Sequence, residues 1–98
     1  MIAAELAKAL DHQRLVARSY NNASVDYDEL GDMSLAIEFA LKALEAYEKI
    51  DDIDGMAASN IEIGNIYYQQ DMYESALKHF KEATRFCLLY TSPSPRDA

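Results

Sequence analysis

The amino-acid sequence predicts an all-α protein, an α-solenoid of antiparallel helix pairs in which a half-repeat precedes two full repeats. Apolar residues recur every three to four positions, which is the spacing of one helix face and not of a strand. This pattern returns after forty residues, and polar or glycine-containing segments separate the helical stretches. Together these observations indicate stacked pairs of helices.

The forty-residue interval aligns identical as well as similar residues. It pairs Tyr27 with Tyr67, Ala36 with Ala76, and Ala3 with Ala43 and Ala83. Each interval is therefore predicted to be one structural unit that packs on the next. We expect residues 1–10 to be the second helix of a truncated preceding repeat, 11–50 to be repeat one, and 51–86 to be repeat two.

Each repeat is predicted to contain two helices. In repeat one these are residues 12–30 and 33–50, because Gly31 can adopt the left-handed conformation that ends a helix and Asp32 can cap the next one. In repeat two they are residues 55–70 and 72–86, after an acidic connector at 51–54. Asp54 and Asp71 are the predicted caps of these two helices.

The last twelve residues differ in composition from the rest of the chain and contain its only cysteine, Cys87, and both prolines. A Ser-Pro-Ser-Pro segment is typical of a linker or a disordered terminus. The string CLLYTSPSPRD also resembles the in-frame translation of an adapter used in DNA sequencing libraries. We expect residues 87–98 to be foreign to the natural protein, which would continue differently past Phe86, and assign Cys87 no redox role.

Repeat two resembles the tetratricopeptide repeat family most clearly. The matching positions are Ile63, Gly64, Tyr67, Tyr73, Ala76, Leu77, Phe80 and Ala83. Repeat one matches with Ser24, Tyr27, Gly31, Ala36, Ile37, Ala40 and Ala43. The resemblance implies that Gly64 and Ala76 let the two helices of a unit approach closely, while Tyr67 and Phe80 fill the remaining space.

Repeat one departs from this pattern, since Ser24 replaces the glycine and Ala40 replaces the aromatic residue. The family's usual proline at the end of a unit is absent, and the interval is forty residues instead of the common length of about 34. Longer intervals of this kind resemble those of bacterial sensor-protein arms and peptide-binding adaptor scaffolds.

Composition and motifs argue against catalysis and against several classes of partner. A net charge of −8 disfavours nucleic acid and anionic membranes. One cysteine and two histidines cannot build a structural zinc site of the usual spacing. A calcium loop around residues 51–55 fails because Ile50 and Ile61 occupy positions where acidic ligands are needed. We therefore expect no enzyme activity, no cofactor, no metal, and a cytoplasmic location.

The resemblance implies that the first helix of each unit lines a concave surface that binds a protein or an extended peptide. The candidate peptide-binding residues are Arg18, Asn21, Asn22, Val25, Asp28, Glu29, Ile61, Glu62, Asn65, Tyr68 and Gln69. Asparagine suits this task because its amide can donate to and accept from a peptide backbone at once. The acidic members Asp28, Glu29 and Glu62 predict a neutral or basic ligand.

The leading functional hypothesis is a non-catalytic protein-binding module taken from a longer array, with possible self-association through uncapped ends. One alternative is a sensory or regulatory arm of a larger bacterial signalling enzyme or transcription regulator. A second alternative is a structural oligomerisation scaffold, in which the concave surface is unused.

Overall fold

A computed structural model describes the backbone of residues 2–90 and the side chains of residues 4–86. It contains four α-helices, α1 (Ile2–Leu30), α2 (Met33–Lys49), α3 (Ile53–Gln69) and α4 (Tyr73–Tyr90), and no strand among these residues. The predicted all-α class is confirmed.

The first helix differs from the prediction. We expected a separate helix over residues 1–10, yet α1 runs without interruption from Ile2 to Leu30. The expected boundary near Asp11 is wrong because the surrounding residues are good helix formers and include neither glycine nor proline. Residues 2–10 therefore extend the first helix of repeat one toward the N-terminus.

The three turns share one backbone device. Gly31, Asp51 and Asp71 each adopt a positive φ, of 85°, 53° and 63°, and each stands two residues before the next helix begins. Such a residue ends a helix by turning the chain away while its amide still bonds to a carbonyl of the last turn. The turns are thus spaced by twenty residues.

The helix caps agree only partly with the prediction. Asp32 caps α2, as expected, by accepting a hydrogen bond from the Leu35 amide at 3.1 Å. The cap of α3 is Asp52 and not Asp54, because the left-handed residue at position 51 starts that helix two residues earlier. Asp71 occupies the turn itself and accepts from the Tyr73 hydroxyl at 2.9 Å.

The helices form two antiparallel hairpins that stack on each other. α1 packs on α2, α3 packs on α4, and the hairpins meet through contacts of α3 with both α2 and α1. Within the described residues the backbones of α2 and α4 do not come close, although the side chain of Phe86 on α4 packs against the cluster that includes Ala43 and Tyr47 of α2. α1 and α3 therefore form one layer and α2 and α4 the other. The extents of 49 × 40 × 18 Å fit a slab two helices thick.

Small residues allow the close approach within each hairpin. On α2 the buried residues Ala36, Ala40, Ala43 and Ala46 face α1 and α3. Ser24 is fully buried and its hydroxyl donates to the Ala36 carbonyl at 2.7 Å, which joins α1 to α2. A short side chain at each point lets two backbones come near without leaving a cavity.

The two hairpins solve the same packing problem with complementary residues. In the second hairpin Gly64 lies under the ring of Phe80, and a Cβ at Gly64 would stand 2.7 Å from the Phe80 ring. In the first hairpin the equivalent residues forty positions earlier are Ser24 and Ala40, so a larger residue on one helix faces a smaller one on the other. The departures noted in repeat one compensate each other.

The contact between hairpins depends on Tyr47 and Gly55. Tyr47 is buried near the end of α2, and its ring lies directly against the Cα of Gly55 in the first turn of α3. A Cβ at position 55 would overlap that ring. Beside it Ala17, Ala43 and Met56 complete a cluster shared by three helices.

The structure describes only the backbone of residues 87–90 of the predicted foreign tail at residues 87–98. α4 continues to Tyr90, and residues 91–98 lie outside the described residues, as does the side chain of Cys87.

We predict that Gly64→Ala lowers the free energy of unfolding by about 1–3 kcal/mol, because the added methyl group displaces the Phe80 ring. Helix propensity alone predicts the opposite sign, a gain of about 1 kcal/mol. Urea denaturation decides between them. The loss should shrink in a Phe80→Leu background, since the two residues are in contact; a gain in stability would contradict the packing described.

Candidate functional site

All of the predicted peptide-binding residues lie on the two first helices, α1 and α3, which are in contact. Six lie on α1 (Arg18, Asn21, Asn22, Val25, Asp28, Glu29) and five on α3 (Ile61, Glu62, Asn65, Tyr68, Gln69). The structure therefore brings the two groups to one layer of the slab. It divides them into residues of the contact between α1 and α3 and residues exposed beside it.

Polar side chains join α1 and α3 at both ends of their contact. At one end Arg14 Nε donates to Asp52 Oδ2 at 3.1 Å, and at the other Gln69 Nε2 donates to Asp28 Oδ2 at 3.3 Å. These bonds span 38 and 41 residues of sequence. Arg14 was not among the predicted site residues, and its partner Asp52 was predicted only to be part of the acidic connector at 51–54.

Two acceptor atoms at this contact lack donors. Asn21 Oδ1 and Glu62 Oε1 are shielded from solvent and accept no hydrogen bond within the described residues. Burial, and secondarily the nearby charge of Asp28, raise the pKa of Glu62 above its usual range. A donor brought by a ligand, such as an ammonium or an amide, would satisfy this carboxylate.

The remaining predicted residues are open to solvent. Arg18, Asn22, Val25 and Glu29 are exposed on α1, and Ile61, Asn65 and Tyr68 are exposed on α3. Gln69 is exposed as well, but it belongs to the contact through its bond to Asp28. Asn22 and Asn65 thus present one free amide from each helix. Neither side chain makes a hydrogen bond within the described residues.

A shallow cleft of about 480 Å³ opens where α3 begins. It is lined by Arg14, Arg18, Tyr47, Asp52, Asp54, Gly55 and Ala58. Burial and the charge of Asp52 raise the pKa of the Tyr47 hydroxyl, although Arg18 and Arg14 oppose this. Two arginines and two aspartates leave the cleft without net charge. Tyr47 was not predicted as a residue of this region, because no sequence pattern indicates that its ring contacts the next hairpin.

The second hairpin contains a hydrogen-bonded pair of polar side chains, Asn60 and His79, at a place where the first hairpin contains aromatic rings. Asn60 Nδ2 donates to the Met56 carbonyl at 3.0 Å, which leaves Asn60 Oδ1 to accept from His79 Nδ1 at 2.9 Å. His79 is half-buried, and the centre of its ring lies 5.7 Å from that of Tyr67.

The equivalent group in the first hairpin is a stack. Phe39 lies 5.5 Å from Tyr27 and 6.1 Å from Tyr20, and the Lys42 ammonium stands 5.1 Å from its ring centre. Phe39 thus supplies the aromatic side chain that the sequence suggested was missing at Ala40. Phe39 could have been predicted to pack in the hairpin, because it lies four residues after Leu35 on one face of the helix. The resemblance to the repeat family instead led us to expect the aromatic residue at position 40.

Neither a metal-ligating cluster nor a membrane-spanning helix is found among the described residues. No group of three or more His, Cys, Asp or Glu side chains in residues 4–86 is placed to hold a metal ion. None of the described helices is both long enough and apolar enough to cross a membrane.

The geometry defines a class of protein, an array of helix hairpins whose first helices form a continuous layer. The sequence model of the family described as "Soluble NSF attachment protein, SNAP" matches residues 1–91. The chain therefore belongs to the SNAP family, which is built from α-helical repeats similar to tetratricopeptide repeats. Comparison with curated proteins and with solved structures gave no match.

We predict that Glu62→Gln stabilises the protein at pH 7.5, by less than about 1 kcal/mol because the carboxyl group is partly solvated. A raised pKa means that the folded state holds a proton which the unfolded state releases at lower pH. Ionisation of Glu62 therefore costs stability as the pH rises from about 4.5 through the raised pKa.

The gain from Glu62→Gln should accordingly shrink as the pH is lowered from 7.5 toward 5, in urea denaturation at each pH. Asp26→Asn, at an exposed position on α1, serves as the control and should change stability by no more than about 0.5 kcal/mol. A gain that does not vary with pH would contradict the burial of this carboxylate.

Proposed function

We propose that this chain is a non-catalytic protein-binding module that holds an extended segment of a partner across α1 and α3. The observation that carries the proposal is that Asn22 on α1 and Asn65 on α3 are both exposed, and that neither amide has a hydrogen bond within the described residues, on two helices that contact each other. SNAP-type repeat proteins are in general non-catalytic adaptors, which supports a binding role over an enzymatic one.

The proposed partner is a protein. The family is named for attachment to NSF, so an attachment role, in which this array links NSF with another protein, is the specific form that the proposal takes here. A cytoplasmic location stays a prediction from composition.

The charge of the predicted peptide-binding residues on α1 and α3 supports a neutral or basic segment as ligand. Asp28, Glu29 and Glu62 lie on the two first helices, and the Glu62 oxygen that lacks a donor would gain one from a lysine or arginine side chain. Val25 is exposed on α1 and offers an apolar contact within the same surface. An acidic segment would meet repulsion there.

We predict that the double variant Asn22→Ala/Asn65→Ala binds such segments about 10–100-fold more weakly, since it loses two side-chain hydrogen bonds to a peptide backbone. The ligands would be selected from a peptide library that includes NSF-derived segments, and their affinity measured by fluorescence anisotropy. Lys- or Arg-containing peptides should be preferred over acidic ones.

Gln13→Ala is the matched control because Gln13 is an exposed amide on α1 that lines a cleft against α2, away from α3. It should leave affinity unchanged. Self-association should be intact in the double variant; equal affinity of the double variant and the unaltered chain would overturn the proposal.

A further inference from the structure

Three side-chain oxygens within residues 4–86 are shielded from solvent and have no hydrogen-bond partner there. They are Asn21 Oδ1 on α1, and Ser59 Oγ and Glu62 Oε1 on α3. Ser59 is a fully buried residue. A shielded oxygen without a hydrogen bond raises the free energy of the folded state, so each of these atoms calls for a partner.

The three residues lie at one level of the contact between α1 and α3. The two hydrogen bonds that join these helices connect residues 38 and 41 positions apart, so the helices run in the same direction with a nearly constant offset. Residues 59–62 of α3 therefore lie level with Asn21 of α1. Ser59 and Glu62 are the first and last residues of that range.

The same three residues belong to the helix faces that meet in this contact. Asn21 is seven residues, about two turns, from each of the two α1 residues that bond to α3. Glu62 is seven residues before Gln69, the α3 residue that makes one of those bonds. Ser59 is three residues before Glu62, and residues at that spacing are neighbours on a helix surface.

We infer that Asn21, Ser59 and Glu62 form a subsite that binds the ammonium group of a lysine side chain from the partner. We call these three residues the amine subsite. It rests on the proposed function and names the residue that the ligand contributes. Asn21 and Glu62 are only half-buried, so the subsite lies at the edge of the contact, where a side chain can enter.

The number and the charge of the acceptors match an ammonium group. A lysine ammonium has three N–H donors and accepts no hydrogen bond, so each of the three oxygens can receive one bond. The Glu62 carboxylate balances its positive charge, and such charge-assisted hydrogen bonds are stronger than neutral ones. Asp28, whose charge acts on Glu62, adds attraction for a cation.

Other occupants match these acceptors less well. An arginine guanidinium is a planar fork suited to both oxygens of one carboxylate, whereas only one oxygen of Glu62 is both shielded and unbonded. Calcium takes about six to eight oxygen ligands, more than this subsite offers. A water molecule could bond to all three oxygens, but it would leave the charge of Glu62 unbalanced.

The test uses n-butylammonium chloride, which reproduces the end of a lysine side chain. The isotope-labelled full chain is titrated by NMR with n-butylammonium, with n-butylguanidinium and with sodium chloride, at equal ionic strength and neutral pH. Butylammonium should shift the amide signals of Asn21, Ser59 and Glu62 with a dissociation constant of about 1–100 mM, as expected for so small a ligand. Butylguanidinium should bind about fivefold or more weakly.

Glu62→Gln should weaken butylammonium binding by about tenfold or more, because it removes the balancing charge. Ser59→Ala should weaken it by about 2–10-fold, because it removes one neutral acceptor. Neither variant should be less stable than the unaltered chain in urea denaturation, since neither of these oxygens bonds within the described residues. A merely structural role would instead lower stability.

Asp26→Asn and Ser34→Ala are the matched controls. Both residues are exposed, and Asp26→Asn removes one negative charge from α1, as Glu62→Gln does from α3. Both controls should leave butylammonium binding unchanged. An effect of Glu62→Gln that Asp26→Asn lacks therefore reports the subsite and not the net charge of the chain.

Butylammonium has no peptide backbone, so its binding does not need the amides of Asn22 and Asn65. If the amine subsite alone fails, butylammonium does not bind, yet Asn22→Ala/Asn65→Ala still weakens peptide binding. If the proposed function alone fails, butylammonium binds, yet this double variant binds peptides as the unaltered chain does.

Three results would overturn the inference: shifts with butylammonium no larger than those with sodium chloride, equal affinity for butylammonium and butylguanidinium, or equal losses in Glu62→Gln and Asp26→Asn. The first result would assign the three oxygens to a bound water molecule instead.

Discussion

The contact of Tyr47 with Gly55 determines how the two hairpins are joined. Each hairpin has its own internal packing, but a stack of hairpins needs a close approach between the second helix of one and the first helix of the next. Here the Tyr47 ring fills the space that a side chain at position 55 would occupy. The Arg14–Asp52 bond then lies beside this contact, so the middle of α1, the end of α2 and the start of α3 are fixed together.

The repeats are equivalent in backbone but not in side-chain chemistry. Ser24 and Ala40 occupy the positions of Gly64 and Phe80, and the Phe39 stack occupies the position of the His79 group. At two facing positions, a larger side chain on one helix can therefore be balanced by a smaller one on the other, so that the distance between the helices is kept. The same freedom produces different surfaces, a polar contact along α1 and an apolar face along α3 and α4.

The fold followed from the sequence more readily than the site. Periodicity and the Gly31 turn predicted the helices. The unbroken α1 was not predicted, because the forty-residue interval placed a boundary after residue 10, where the sequence contains no residue that ends a helix. The sequence placed the site residues on the correct helices, but it could not separate Asn21 and Asp28, at the contact with α3, from exposed Asn22. That distinction depends on the angle between α1 and α3, which no single position encodes. Tyr47 was missed for the same reason.

Native-state hydrogen exchange of Gly55→Ala tests the stacking of the hairpins most directly. If Tyr47 and Gly55 join them, the substitution should speed exchange of the most protected α3 amides by about 10–100-fold, because the added methyl group separates α3 from α2. Amides in the centre of α1 should change less. Slower exchange throughout α3, the result expected from the higher helix propensity of alanine alone, would contradict a stack held at this contact.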